Sequence, residues 1–158
     1  MECVKDFFGN CVFTVPIITW IVAQIVKMLV NLLRDKRLDF ERLIGGGGMP
    51  SCHTATVSAL VAMTGWTCGF NSVYFALSAI LAAVVMHDAM GVRLETGKQA
   101  SSLKKLSEII SGLLGKNEDM AGTSALKELV GHTPFQVLMG TILGAGVAIF
   151  MGFVMGKF

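Results

Sequence analysis

Four long apolar segments constrain this chain more than any other feature. Residues 12–33 are almost continuously apolar, interrupted by Thr14, Pro16, Thr19, Gln24, Lys27 and Asn31. Residues 54–70, 72–86 and 135–155 form three further runs. Crossing a bilayer as a helix takes roughly 20 apolar residues, because lipid offers the backbone no hydrogen-bond partners. The first and fourth runs meet that length. The second and third reach it by borrowing flanking residues, and with only a short connection around Asn71 they read as a helical hairpin. The expected fold is an all-α membrane bundle of about four transmembrane helices, one domain over residues 1–158. Of the 158 residues 53% are hydrophobic and only 15% charged, which is the composition of such a bundle. A net charge of +2 is too small to make a nucleic-acid surface. The first run is expected to stay in the protein: only Lys5 precedes it as a cation, and it is longer than a secretory h-region.

The lysines and arginines set an orientation. Arg34, Lys36, Arg37 and Arg42 follow the first run, and Arg93, Lys98, Lys104, Lys105, Lys116 and Lys127 follow the third. Only Lys5 and Lys157 lie on the other side. Cytoplasmic loops collect positive charge, so both long connections are expected in the cytosol and both termini outside, in a bacterial-type plasma membrane. Within the second connection, residues 100–114 place Leu103, Leu106, Ile109, Ile110, Leu113 and Leu114 at helical spacing. That pattern predicts an amphipathic helix at the cytosolic interface, with Lys104 and Lys105 towards headgroups. Residues 115–122 read as a turn. The cysteines Cys3, Cys11, Cys52 and Cys68 follow no metal or disulfide spacing and read as small core residues.

Chemistry concentrates at the predicted cytosolic ends. Gln24, Lys27, Asn31 and Arg34 recur every three or four residues, a polar stripe on one helix face. A lysine at that depth either snorkels to the surface or serves a polar cavity. Asp88 at the end of the third run is an available counter-ion for Lys27, and Arg93 follows it; both are alternatively ordinary helix-end charges. His53 stands where Gly45–Gly48 and Met49-Pro50 meet the second run, and His132 stands in Gly131-His132-Thr133-Pro134 before the fourth. Helix N-termini offer free amides and a favourable dipole to an anion, and glycine lets the backbone approach it closely. Two histidines with several cations around an anion outline phosphoryl transfer, one ring attacking and the other protonating the leaving oxygen.

The stretch Gly47-Gly48-Met49-Pro50-Ser51-Cys52-His53-Thr54-Ala55 resembles the GGMPSSHSA signature of the divergent PAP2 family, small membrane proteins related to type 2 phosphatidic acid phosphatases and vanadium haloperoxidases. Asp88-Ala89-Met90-Gly91-Val92-Arg93 with Gly97-Lys98-Gln99-Ala100 resembles its DAxGVR…GxQA block. Gly131-His132-Thr133-Pro134 with Val137, Gly140 and Gly144 resembles its closing block. The resemblance implies a metal-independent lipid phosphate phosphatase that uses no cofactor. It implies that His132 is the nucleophile and that His53 protonates the leaving group. Ser51 and the amide of Gly48 would hold phosphate oxygens, with Lys27 and Arg93 as a cationic clamp.

Three departures from the wider superfamily carry consequences. Its Lys-x6-Arg-Pro opening is absent, since Lys36 and Arg42 are separated by five residues and no proline follows, which leaves Lys27 for the lysine role. Leu126 occupies the place of its later arginine, so Lys127 or Arg93 substitutes. Gln136 replaces the acid that orients the nucleophilic histidine, so either Asp88 or Glu128 supplies that charge or His132 is a weaker nucleophile.

The substrate implied is a lipid phosphate monoester or diphosphate, such as phosphatidic acid, phosphatidylglycerol phosphate or a polyprenyl diphosphate. One alternative is a metal-assisted phosphatase built on His87, Asp88, Glu95 and Glu128. Another is a non-catalytic phospholipid-binding or scaffold protein. Gly140-x3-Gly144 and Gly152-x3-Gly156 serve either a homodimer or packing of the last helix within the chain.

Overall fold

A computed structural model describes residues 8–35, 48–114 and 131–156, and those residues form an all-helical bundle. Its helices are α1 (Cys11–Asp35), α2 (Cys52–Cys68), α3 (Val73–Met90), α4 (Val92–Leu114) and α5 (Pro134–Val154). Each boundary has a local cause. Asn10 starts α1, its Oδ1 accepting from the Val12 amide at 3.1 Å. Ser51, Ser72 and Thr133 cap α2, α3 and α5 through their hydroxyls, satisfying amides that the first turn leaves free. Gly69 ends α2 at φ 88°, a backbone angle that costs glycine nothing, and its amide closes on the Gly65 carbonyl at 3.0 Å.

Three helical stretches are long and apolar enough to cross a membrane: Cys11–Leu33, Val73–Leu113 and Pro134–Val154. The chain is therefore an integral membrane protein. The second of the four expected spans is the exception, because α2 has only 17 residues. It is also the central helix, packed by α5, α1 and α3. Its buried residues are Cys52, Thr54, Ala55, Val57, Ser58, Ala59, Met63, Thr64 and Gly65, most of them small.

The packing inverts the arrangement of a soluble protein. On α1 a buried stripe recurs every fourth residue at Cys11, Val15, Thr19, Ala23 and Lys27. On α5 the stripe is Val137, Gly140, Gly144, Ala148 and Gly152. Large apolar side chains such as Ile21, Ile25, Leu77, Ile80, Ile142 and Phe150 are instead exposed on the outside. Lipid tails are as apolar as leucine, so helices in a bilayer associate through small residues that let backbones approach.

The approach of α2 and α5 is close. A Cβ at Gly144 would stand 2.2 Å from the Ala55 carbonyl oxygen, and one at Gly140 would stand 2.6 Å from that of Ser51. The two helices run parallel, matching Ser51 to Gly140 and Ala55 to Gly144. Gly140-x3-Gly144, which from sequence serves either a homodimer or packing of the last helix within the chain, is occupied within the chain. Helix α1 runs antiparallel to α2, with Cys11 Sγ 3.5 Å from Thr67 Oγ1 at one end. Ala23 packs with Cys52 and Ala55 at the other end. α1 and α3 flank α2 without packing against one another.

Helix α4 begins at Val92 rather than near residue 100, so it follows α3 almost without a break at Gly91. Gly97 and Ala100 are its buried positions, whereas Leu103, Leu106, Ile109 and Leu113 are exposed. The turn expected at 115–122 lies outside the described residues. Cys11, Cys52 and Cys68 are free thiols.

Candidate active site

The end of α1, the beginning of α2, the end of α3 and the beginning of α5 meet at one end of the bundle. Two backbone hydrogen bonds between the distant sequence blocks hold them there. The Ser51 amide donates to the Gln136 carbonyl at 3.2 Å, and the His132 amide donates to the Ala89 carbonyl at 3.0 Å. Gly131 makes a third junction, since a Cβ on it would lie 2.2 Å from the backbone nitrogen and Cα of Leu94. Only glycine permits that contact.

These junctions bring the two histidines together. The rings of His53 and His132 lie 6.5 Å apart between centroids, inclined by 72°. That is too far for a direct hydrogen bond and leaves room for a tetrahedral anion between them. His53 is exposed and His132 is buried, at 3%. Burial is the main cause that pushes the His132 pKa down to about 4, with the nearby His53, Lys27 and Arg93 acting in the same direction and the Gly131 backbone opposing them. His132 precedes the α5 span and is a neutral imidazole at physiological pH. Its Nδ1 is buried and has no hydrogen-bond partner among the described residues.

Lys27 joins this group from α1. It is buried to 1% exposure, and a Cβ on Gly48 would come within 2.8 Å of its Cε. Gly48 has φ 101°, so both its backbone angle and its closeness to the lysine exclude a side chain. The snorkelling alternative for Lys27 therefore gives way to a lysine laid under the glycine loop. The loop enters α2 through a cis Met49–Pro50 peptide.

Ser51 is fully buried, and its Oγ accepts from the Thr54 amide at 3.4 Å and from the Thr54 hydroxyl at 3.0 Å. A hydroxyl has one hydrogen to give, so accepting twice leaves that hydrogen for a third group. Thr54, equally buried, was not singled out from sequence. Its position three residues after a serine N-cap was the available signal. Cys52 is buried with Sγ 3.7 Å from His53 Nδ1.

Asp88 and Arg93 stand at the rim. Arg93 Nε donates to Asp88 Oδ2 at 2.6 Å, and both side chains are partly exposed, at 47% and 37%. Asp88 was expected as counter-ion to Lys27 or as the carboxylate orienting His132. Its ion pair is with Arg93, and it makes no hydrogen bond to His132 Nδ1. Gln136 does not orient that ring either. Its side-chain oxygen accepts from the Thr133 amide at 3.0 Å while the Thr133 hydroxyl accepts from the Gln136 amide at 3.3 Å, a capping box. Lys127 and Glu128 lie outside the described residues.

Among the described residues, metal-binding groups do not converge. Glu95 is 2.6 Å from Lys98, and no three His, Cys, Asp or Glu side chains among the described residues are grouped to hold an ion. The assembled groups are instead cations, amides, hydroxyls and imidazoles, a set suited to an anion.

Comparison with known proteins identifies the family. The chain is 35% identical over 130 residues to a membrane protein of Bacillus subtilis (strain 168) named YuiD and described as uncharacterized, covering 78% of this chain and 82% of that one. No solved structure matches. The sequence profile of the divergent PAP2 family matches residues 8–147, which takes in the glycine loop, both histidines and the Gly140–Gly144 contact. By that match over most of its length, the chain belongs to the divergent PAP2 family.

Proposed function

We propose that this protein is a membrane-embedded phosphatase that removes phosphate from a lipid phosphate monoester or diphosphate through a phosphohistidine intermediate. The observation that carries the reading is the pairing of His53 with the buried His132 across 6.5 Å, beside Lys27 and the N-terminus of α2. The substrate phosphate sits between the rings. Its oxygens take hydrogen bonds from the Gly48 amide and the Ser51 hydroxyl, and its charge is met by Lys27 and Arg93. His132 Nδ1 is sealed in protein, so Nε2 attacks phosphorus. The ester P–O bond breaks as the N–P bond forms, and His53 gives its proton to the leaving lipid oxygen. The neutral His53 then takes a proton from water, whose oxygen attacks phosphorus and releases phosphate.

Asp88 acts through Arg93. A partly exposed ion pair contributes only about 0–1 kcal/mol, so Arg93 can exchange the carboxylate for a substrate phosphate at small cost. Helix α2 is the fourth span, crossing with the help of its flanking residues. The apolar residues of α4 rest in the interface, and the positive-inside bias puts the site on the cytosolic side.

The test is phosphate release by the purified protein with EDTA, over phosphatidic acid, phosphatidylglycerol phosphate and polyprenyl diphosphates, beside His132→Ala. Release by the wild type, abolished in the variant, is expected. Release only after Mg²⁺ is added would overturn the metal-free mechanism. A non-catalytic lipid-phosphate-binding protein is the second reading. It is favoured by the absence of a carboxylate on His132 Nδ1 among the described residues, and binding of these lipids without turnover would establish it.

A further inference from the structure

Among the described residues one face of the central helix is left uncovered, and that face begins at the histidine pair. α5 covers the side of α2 that carries Ser51 and Ala55, and α1 covers the side that carries Cys52, Ala59 and Met63. α3 returns along the side that remains buried. Because α1 and α3 do not pack together, a strip of α2 between them is left open. His53, Thr56, Leu60 and Thr67 recur there at helical spacing. His53 and Thr67 are exposed, and Thr56 and Leu60 are half-buried, while the residues on either side of the strip are mostly buried.

The strip changes character along its length. At its upper end are His53 and, across from it, His132 and Lys27, a site for an anion. One turn down, the Thr56 hydroxyl donates to the Cys52 carbonyl at 2.8 Å, so its hydrogen is used within the helix and is not offered to the strip. Leu60 follows, about 10 Å below His53 at the rise of an α-helix. The walls are the membrane-facing helices α1 and α3, so the groove opens sideways into lipid.

We propose that this groove between α1 and α3, floored by Thr56 and Leu60, holds the first hydrocarbon chain of the phosphate-bearing lipid. An anionic head at the histidine end and an apolar body below it are the two halves of one amphiphile, matched in order and in direction. The groove rests on the reading of the histidine pair as a phosphate site. It makes a separate claim: the site selects its ligand partly by the tail, which enters from the bilayer without leaving it. A ligand that reached the histidines from the water would gain nothing from Leu60.

The experiment measures binding rather than turnover. Affinities of the purified protein in detergent are determined for alkylphosphonates, which cannot be hydrolysed, with two-carbon and sixteen-carbon chains. The wild type is expected to prefer the long chain by at least tenfold. Leu60→Trp and Thr56→Phe, each filling the groove, are expected to reduce that preference at least fivefold. Ile142→Trp, on the lipid-facing side of α5, should leave it unchanged. Using two filling variants separates a blocked groove from one misfolded protein. Equal preference in wild type and both variants overturns the proposal, as does a wild type indifferent to chain length or unable to bind either ligand. Chain-dependent binding without phosphate release from any lipid would sink the phosphatase and leave the groove standing.

Discussion

Lys27 and Gly48 are a matched pair: the lysine lies where a side chain on the glycine would have to be. Gly48→Ala would force a Cβ to 2.8 Å from Lys27 Cε in a backbone conformation costing an ordinary residue about 1–2 kcal/mol. The expected outcome is a loss of at least tenfold in phosphate release, seen in kcat/KM, with the helical content unchanged by circular dichroism. His132 makes a prediction in pH. Its pKa is lowered from 6.5 to about 4, so the unprotonated nucleophile persists as the pH falls until about pH 4. The acid limb of kcat/KM, which reports the free enzyme, should therefore fall near pH 4 rather than 6.5. A limb at 6.5 would show that the ring is solvated. At this scale His53, His132, Lys27 and Ser51, which the structure brings to one end of the bundle, were legible as candidates because each stands at a helix end or on a polar stripe. Compared with the superfamily, Gln136 reads as a missing partner of His132; the Thr133-to-Gln136 spacing is the signal for the capping box it makes instead.

Among the elements, the contact of α2 with α5 decides the geometry of the histidines. Gly144→Val places branched carbons against the Ala55 carbonyl, 2.2 Å from the first of them, with backbone on both sides unable to yield. Overpacking of that kind costs about 1–3 kcal/mol or more, and a clear fall in the detergent unfolding temperature with loss of phosphate release is expected. Thr133→Ala removes the cap of α5 and should destabilise by about 1 kcal/mol. Its activity should fall too, since His132 is the residue before the cap. The four apolar helices were legible as hydrophobic runs to within a few residues, whereas α4 starts at Val92, well before the residue 100 its apolar spacing suggests. What Gly140 and Gly144 touch was not, because a small-residue pair reads the same whether the facing helix belongs to this chain or to another. The pairing of Asp88 with Arg93 was equally hidden, being set by side-chain direction across the α3–α4 junction.

For the whole molecule, sidedness is the claim most open to measurement. Cys68 is exposed at the end of α2 opposite the histidines. If the site faces the cytosol, a membrane-impermeant maleimide should label Cys68 in intact cells, whereas protection there with labelling only after lysis would reverse the orientation. From sequence, the expected sidedness rests on charge, a global count that needs no contacts. Sequence alone could not say that the second apolar run, too short to span without its flanks, becomes the innermost helix, because length and hydropathy do not order helices from centre to edge.

That arrangement separates two jobs. His53 rides on α2 and His132 is joined to α5, and those helices meet backbone against backbone at glycines, like two halves of a machinist's jig. The groove walls belong to α1 and α3, which reach the site through Lys27 and the Ala89 carbonyl but turn Ile21, Ile25, Leu77 and Ile80 outward. Substitutions on those outer faces, away from Lys27 and Ala89, can alter which tail fits while the glycine clamp keeps the spacing of the histidines. A lineage built on this plan can change its substrate without rebuilding its chemistry.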